Sequence, residues 1–332
     1  MSRGLRIGLS IAISAVCLYF AARGVEWDKA LQALTSAHYI YTLPMLGATL
    51  LTLYIRALRW RVLLRPLGKP QMSSLIAATN IGFMANMVLP LRMGEVIRPV
   101  LLSRKEKQPL GGILATIVLE RVSDLLTVLL LFGVSAATVS FSPAIRDWGY
   151  RLCGFAIVMS AGVLFVRWQE SFALRMLQIV LRPLPVRFAE PVEHFFRGFV
   201  QALEILDSPP TFLAIAAWSL CLWAAIASVF AFGLLAFDLP VPLVVASVVI
   251  TAITAIVVSA PSAPGFIGAF QFGCTLGLGI FHVAESNAFA FSIIVHLMQF
   301  VGTIAAGVYS LTREGMSLRQ LEEVTASDAK AA

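Results

Sequence analysis

The sequence predicts an all-α polytopic membrane protein with about eight membrane segments. Three observations carry this expectation. The 332 residues are 59% hydrophobic and only 13% charged, whereas soluble domains run about 45–50% apolar and about 25% charged. Six charge-poor runs have the roughly 20-residue length that a spanning helix needs. Two further apolar regions are interrupted by proline, glycine and charged residues, and each reads as two helical arms around a broken centre. This balance excludes a disordered chain, a collagen-like repeat and a coiled coil, and it argues against a soluble globular enzyme.

The first expected span is about 5–22. Arg3 and Arg6 precede a charge-free run from Ile7 to Ala22. Tyr19 and Phe20 stand where signal cleavage needs small residues, so this is a retained span. The second, about 40–58, ends in Arg56-Ala-Leu-Arg59-Trp60-Arg61, followed by Arg65 and Lys69. Arg56, Arg59, Trp60 and Arg61 at an inner helix end read as a membrane-surface anchor, with arginines snorkelling to the headgroups. Residues 71–103 form the first broken region, interrupted by Asn80, Asn86, Pro90, Arg92, Gly94, Glu95, Arg98 and Pro99. Spans follow at about 110–133 and 150–166. Residues 167–209 are amphipathic: Phe188, Val192, Phe195, Phe199, Leu203 and Leu206 recur every three or four residues, with Arg187, Glu190, Glu193, Arg197 and Glu204 on other faces. That pattern suits a connector helix on the cytoplasmic membrane surface, most plainly a linker that packs under the bundle, with a regulatory or partner-docking role as the alternative. A span at about 210–237, a second broken region at 240–281 and a last span at about 288–311 complete the bundle. Residues 313–332 form a polar tail.

The basic residues select a topology. The chain carries 25 Lys and Arg, 20 of them Arg, and a net charge of +7. If both broken regions enter and leave on one side, 20 of the 25 lie in cytoplasmic segments. Arg23, Lys29, Arg146 and Arg151 lie outside, and Arg121 lies within a span. The positive-inside rule favours this arrangement, with both termini cytoplasmic. Each half then reads span, span, hairpin, span, with hairpins opening to opposite sides. This is the pattern of an inverted repeat, with halves at about 1–133 and 150–311 in a single transmembrane domain, 1–312.

Two stretches carry charge at membrane depth. In the first broken region, Pro90 lacks an amide hydrogen and Gly94 lacks a side chain, so the helix should break there. Arg92, Glu95 and Arg98 share three-residue spacing and fall on one helical face. Each costs about 2.5–3.5 kcal/mol at the bilayer centre unless compensated. Arginine presents a planar fork suited to phosphate. Arg92 and Arg98 are therefore candidate ligands for an anionic lipid headgroup, with Glu95 and Asn86 beside them. In the span 110–133, Glu120, Arg121 and Asp124 share a face and must look into the bundle or water. They are candidates for coupling or gating, and a structural ion pair is the plainer alternative. The second broken region, with Pro261, Pro264, Gly265, Gly268 and Gln271, is uncharged. It reads as a pliable break bringing backbone groups to a cavity, or as close packing.

Other chemistry finds no support. The four cysteines are far apart with no CxxC, the four histidines form no HExxH pattern, and GxxxxGK[ST] is absent. No metal, nucleotide or other cofactor is expected. The basic charge reads as topology and lipid electrostatics rather than nucleic-acid binding.

These stretches resemble the lysylphosphatidylglycerol synthase transmembrane-region family, also described as flippase-like membrane proteins. The pattern N-x-x-x-P-x-R-x-G-E-x-x-R matches at Asn86, Pro90, Arg92, Gly94, Glu95 and Arg98. E-R-x-x-D-L-L matches from Glu120 through Leu126, and R-A-x-R-W from Arg56 to Trp60. P-G-x-x-G-x-x-E matches at Pro264, Gly265 and Gly268, with Gln271 in place of the Glu. The resemblance covers about residues 5–312. It implies a lipid-translocating bundle in a bacterial inner membrane, with two hairpins meeting at a central cavity. Its substrate would be an anionic or polyprenyl-phosphate lipid. The full synthases add a soluble aminoacyl-transfer domain. This chain ends about 20 residues after its last span, so aminoacyltransferase activity is not expected. Two alternatives are a membrane-bound transferase acting on a lipid phosphate and a non-transporting scaffold for a lipid-synthesis enzyme.

Overall fold

A computed structural model describes residues 3–182, 185–260 and 262–316, and among them all regular structure is helical. Thirteen α-helices follow in order: α1 (Arg3–Ala22), α2 (Trp27–Ser36), α3 (Thr42–Leu63), α4 (Met72–Val88), α5 (Gly94–Glu106), α6 (Leu110–Thr138), α7 (Pro143–Trp168), α8 (Glu170–Leu181), α9 (Val186–Leu203), α10 (Pro209–Ala236), α11 (Leu243–Ser259), α12 (Ala269–Gly279) and α13 (Glu285–Arg313). Four stretches are long and apolar enough to cross a membrane: Tyr39–Leu63, Pro143–Trp168, Pro209–Ala236 and Glu285–Arg313. Shorter apolar helices accompany them at Ile11–Ala22, Met72–Val88 and Leu243–Ser259.

Local chemistry explains several boundaries. Pro143 and Pro209 open α7 and α10, where a missing amide hydrogen costs nothing. Lys107 ends α5 in the left-handed conformation at φ 52°. The connection between α6 and α7 is only four residues, so α7 starts seven residues before the expected span at 150.

Both broken regions fold back as helical hairpins, and glycines permit the close return. A Cβ on Gly94 would sit 1.8 Å from the Gly82 carbonyl oxygen, and one on Gly82 would sit 2.7 Å from Arg98 Cβ. In the second hairpin, Gly273 and Gly277 lie against the backbone of Thr254 and Ile250. Helices α4 and α5 are joined by a short 3-10 turn, Pro90–Arg92; Pro264–Phe266 forms another between α11 and α12. Pro261, expected as part of this break, lies outside the described residues.

Two apolar cores flank these turns. One unites α3, α10, α11, α12 and α13 around Met45, Phe230, Ile250, Phe270 and Phe291. The other joins the end of α3 to α4, α5, α6 and α10 around Trp60, Leu63, Leu75, Leu102 and Ile113. Helix α2 was not anticipated. It packs on α13, with Trp27 edge-on to Phe289 at 5.7 Å and the Glu26 amide donating to Ser286 Oγ at 3.0 Å.

The connector 167–209 holds two helices where the pattern suggests one, and it packs on the bundle as a linker would. It contains α8 and α9, and α9 lies tightly on the start of α6. A Cβ on Gly198 would reach the Gly112 nitrogen at 2.9 Å, and one on Gly111 would reach Phe195 Cα at 2.8 Å. Paired glycines let the two backbones touch, so part of the apolar face of α9 is spent on protein. Arg197 and Gln178 both donate to Glu193, tying α8 to α9 and holding that carboxyl below its usual range.

Candidate functional site

The 3-10 turns of the two hairpins meet. Arg92 Nη2 donates to the carbonyl oxygens of Val258 and Ala260, the latter at 3.1 Å, at the end of α11. Its guanidinium lies 5.3 Å from the Phe266 ring centroid. Gly265, at φ 69°, brings its backbone so near that a Cβ would stand 3.2 Å from the Met87 carbonyl oxygen.

Beside this junction lies a cavity of about 390 Å³. Its polar lining includes Arg56, Asn86, Arg92, Glu95, Arg98 and Arg121. Asp124, Thr52, Thr251, Thr254, His296 and Gln299 line it too, and Leu53, Ile117, Leu125, Val128, Ile226 and Phe230 supply apolar wall. On α6 the lining residues Ile117, Arg121, Asp124 and Val128 follow helical spacing, so one face of that helix looks into the cavity.

Behind the wall, Glu120 is fully buried and bracketed by three arginines. Arg98 Nη1 donates to both its oxygens at 2.9 and 3.0 Å, Arg121 Nη2 donates to Oε1 at 3.1 Å, and Arg59 Nη2 stands 3.4 Å from Oε1. Asp124 receives Arg59 Nη1 at 2.7 Å and the Trp223 indole N–H at 3.4 Å, with Arg121 at 3.4 Å. Arg59 Nη1 also donates to Ser219 Oγ at 3.1 Å. Arg98 lies 3.9 Å above the Trp60 ring, whose N–H donates to Thr116 Oγ1 at 2.8 Å. Buried charge survives only when paired and hydrogen-bonded. This network joins α3, α5, α6 and α10.

The expected anchor therefore divides. Arg59 and Trp60 are fully buried inside the protein, Arg56 lines the cavity, and only Arg61 is exposed. The three-residue spacing of Arg56 and Arg59 puts both on the inward face of α3; their nearness to the helix end suggested snorkelling instead. Among the headgroup candidates, Arg92 and Glu95 remain partly exposed, with their charges 3.9 Å apart, while Arg98 is almost wholly buried against Glu120 and Trp60. Arg121 is the most open of the α6 triad, its side chain 45% exposed. Phe83, Phe266, Trp223 and Gln299 escaped the sequence reading. Phe83 stands three residues before Asn86, a helical spacing that could have marked it.

The second break is held by a hydrogen-bonded chain. His296 pairs through Nε2 with the Gly265 carbonyl at 2.8 Å and through Nδ1 with Gln271 Nε2 at 2.9 Å. Gln271 Oε1 accepts from the Gly268 amide at 2.7 Å. A neutral imidazole with its proton on Nε2 satisfies every member. Gln271 thus serves as a cap for α12. From α1, Ser14 Oγ accepts from the Ala263 amide at 2.6 Å. Several buried polar atoms lack a partner, among them Asn86 Oδ1 and Gln299 Nε2 at the cavity. The described residues contain no cluster of three or more metal-ligating side chains.

A family model for the lysylphosphatidylglycerol synthase transmembrane region matches residues 7–307. The chain belongs to that family. It is accordingly an integral membrane protein, and of the motif residues Arg56, Asn86, Arg92, Glu95, Arg98, Arg121 and Asp124 line the cavity, whereas Pro90, Pro264, Gly268 and Gln271 do not. A relative described as glycosyltransferase AglD, from Haloferax volcanii, is 25% identical over 355 aligned positions, covering 95% of this chain and 55% of the relative. The chain thus spans about half the length of the curated relative it matches. No solved structure matches it.

Proposed function

We propose that this family member is a lipid transporter of flippase type, which takes an anionic headgroup into the arginine-lined cavity while the tails stay in the bilayer. One observation carries the reading: four arginines from three different helices and a hairpin turn, Arg56, Arg92, Arg98 and Arg121, line one cavity where the two hairpin turns meet. Arginine forks bind phosphate oxygens. Arg92 and Arg121 are the primary headgroup ligands, being the most open; Arg98, fixed on Glu120, holds the wall.

The hairpins are re-entrant in this reading. Their arms contain 17, 13, 17 and 11 residues. At 1.5 Å per residue they measure about 17–25 Å, less than the roughly 30 Å hydrocarbon core. Two such hairpins entering from opposite sides and touching at their tips suit alternating access by an inverted repeat. Residues 1–312 form one transmembrane domain, with both termini cytoplasmic in a bacterial inner membrane.

The test is lipid mass spectrometry on protein extracted in native-membrane discs. Wild type should retain one anionic or polyprenyl-phosphate lipid that the Arg92→Ala/Arg121→Ala variant loses. Identical profiles would discard the headgroup role and favour a scaffold for a lipid-synthesis enzyme.

A transferase is the second reading, favoured by the name of the relative. Glu95 would be its base, because Glu120 and Asp124 are tied up by arginines. Incubation of the purified protein with a lipid phosphate and an activated sugar would then give a lipid of increased mass that Glu95→Gln fails to produce.

A further inference from the structure

Five guanidiniums, those of Arg56, Arg59, Arg92, Arg98 and Arg121, gather at the cavity and its wall, facing three carboxylates, Glu95, Glu120 and Asp124. Two positive charges stay uncancelled in a site walled largely by apolar helices. One of the two has a definite address. Arg59, Arg92, Arg98 and Arg121 each have a carboxylate within 4 Å. Arg56 has none among the described residues; its guanidinium rests on the Phe83 ring, 4.5 Å from the centroid. It nevertheless lines the cavity. The remaining titratable liner, His296, is occupied on both ring nitrogens. Nearby, Gln299 Nε2 is a buried donor without an acceptor. Asp124 and Glu120 act on Arg56 only from beyond 4 Å, and Asn86 Oδ1 is a buried acceptor without a donor at the same cavity; the net excess of two charges still matches an anion richer in charge than the single negative charge of a phosphodiester.

We propose that the cavity selects a lipid ending in a phosphate monoester, whose second negative charge is taken by Arg56. This rests on the headgroup reading above and specifies its substrate class. A monoester phosphate carries close to two negative charges above its second pKa near 6, which matches the excess. A phosphodiester headgroup carries one and would leave one of the two excess charges uncancelled in a low-dielectric site.

The experiment compares two lipids with identical tails. Wild-type protein in phosphatidylcholine nanodiscs at pH 8 is titrated with dioleoyl phosphatidic acid and with dioleoyl phosphatidylglycerol, and binding is read by native mass spectrometry. The monoester should bind about tenfold tighter or more, equivalent to one well-placed charge interaction. Arg56→Gln should bring the ratio near one, and Arg56→Lys should retain most of it. Equimolar inorganic phosphate should fail to displace the lipid. Equal binding of both lipids, lost in Arg92→Ala/Arg121→Ala, would overturn the monoester assignment and leave the headgroup site standing. A preference that survives in Arg56→Gln would overturn the role of Arg56. Displacement by inorganic phosphate would overturn the lipid source of the charge, and absence of binding by either lipid would overturn both readings.

Discussion

Arg92 and Phe266 touch across the junction of the two hairpins, the guanidinium 5.3 Å from the ring centroid. Both hold positive φ, 52° and 60°. The left-handed region is unfavourable for side chains of this size. Each break thus carries a backbone strain that the contact across the junction helps to hold in place. A rigid joint between two stiff helices would need no such conformation.

Phe266→Ala and Arg92→Ala should therefore be coupled. Thermal unfolding in detergent of both single variants and the double variant should yield a coupling energy of about 0.5–1 kcal/mol, the range of a partly exposed cation–π contact. Additive losses would mean that the ring and the guanidinium act independently.

Glu120 is the keystone of the buried network. Glu120→Gln leaves Arg98 and Arg59 short of charge compensation and should cost about 3–5 kcal/mol, the usual penalty for breaking a buried pair from one side. A sharply lowered melting temperature, or loss of folded protein from the membrane, is the expected observation. Glu120→Gln combined with Arg98→Met should recover part of the loss, because it removes the stranded charge as well.

Gly94→Ala tests the closure of the first hairpin. Its Cβ would enter the Gly82 carbonyl oxygen at 1.8 Å and Asn86 Oδ1 at 2.6 Å, so overpacking should cost about 1–3 kcal/mol. Gly133→Ala on α6 meets nothing within 4 Å. It should be neutral or stabilising by up to about 1 kcal/mol, since alanine is the better helix former. Similar melting temperatures for the two variants would contradict the close return of α4 on α5.

His296→Phe should keep the stacking on Phe270, now 4.5 Å between centroids, and lose both hydrogen bonds. The Gly265 carbonyl and the Gln271 amide would be left buried and unpaired, at about 1–3 kcal/mol each. Destabilisation of that size, with faster hydrogen exchange confined to 260–272, is expected. Unchanged exchange there would show that the chain from His296 to Gly268 does not hold the break.

Much of this architecture is legible in the sequence because its signals are local. Apolar length marks α10 and α13, Pro90 with Gly94 marks the first break, and Glu120, Arg121 and Asp124 announce an inward face four residues deep. What is not legible is who pairs with whom. Asp124 binds Arg59, 65 residues earlier, and only tertiary packing sets that choice. The inward placement of Arg56 and Arg59 is hidden for the same reason, since a basic residue near a helix end looks alike whether it faces headgroups or carboxylates. Helix α2 went unseen because ten residues of mixed polarity give no spanning signal, and its apolar side becomes meaningful only against Phe289 on α13. The role of Gln271 was hidden likewise: its partner on the imidazole side is 25 residues away.

The ion network also dictates an order of assembly. Helix α6 is 29 residues long and carries Glu120, Arg121 and Asp124 near its middle, and it is not among the four stretches long and apolar enough to span alone. Each charge costs about 2.5–3.5 kcal/mol on the insertion scale if it meets lipid. The helix leaves the ribosome after α3, which already carries the Arg59 that Asp124 requires. Its passage into the bilayer is then a docking event on a prior helix rather than a partition from water into oil. Arg59 so acts as a receptor for a later helix of its own chain, and a chain lacking it should stall with α6 unintegrated before any lipid is ever bound.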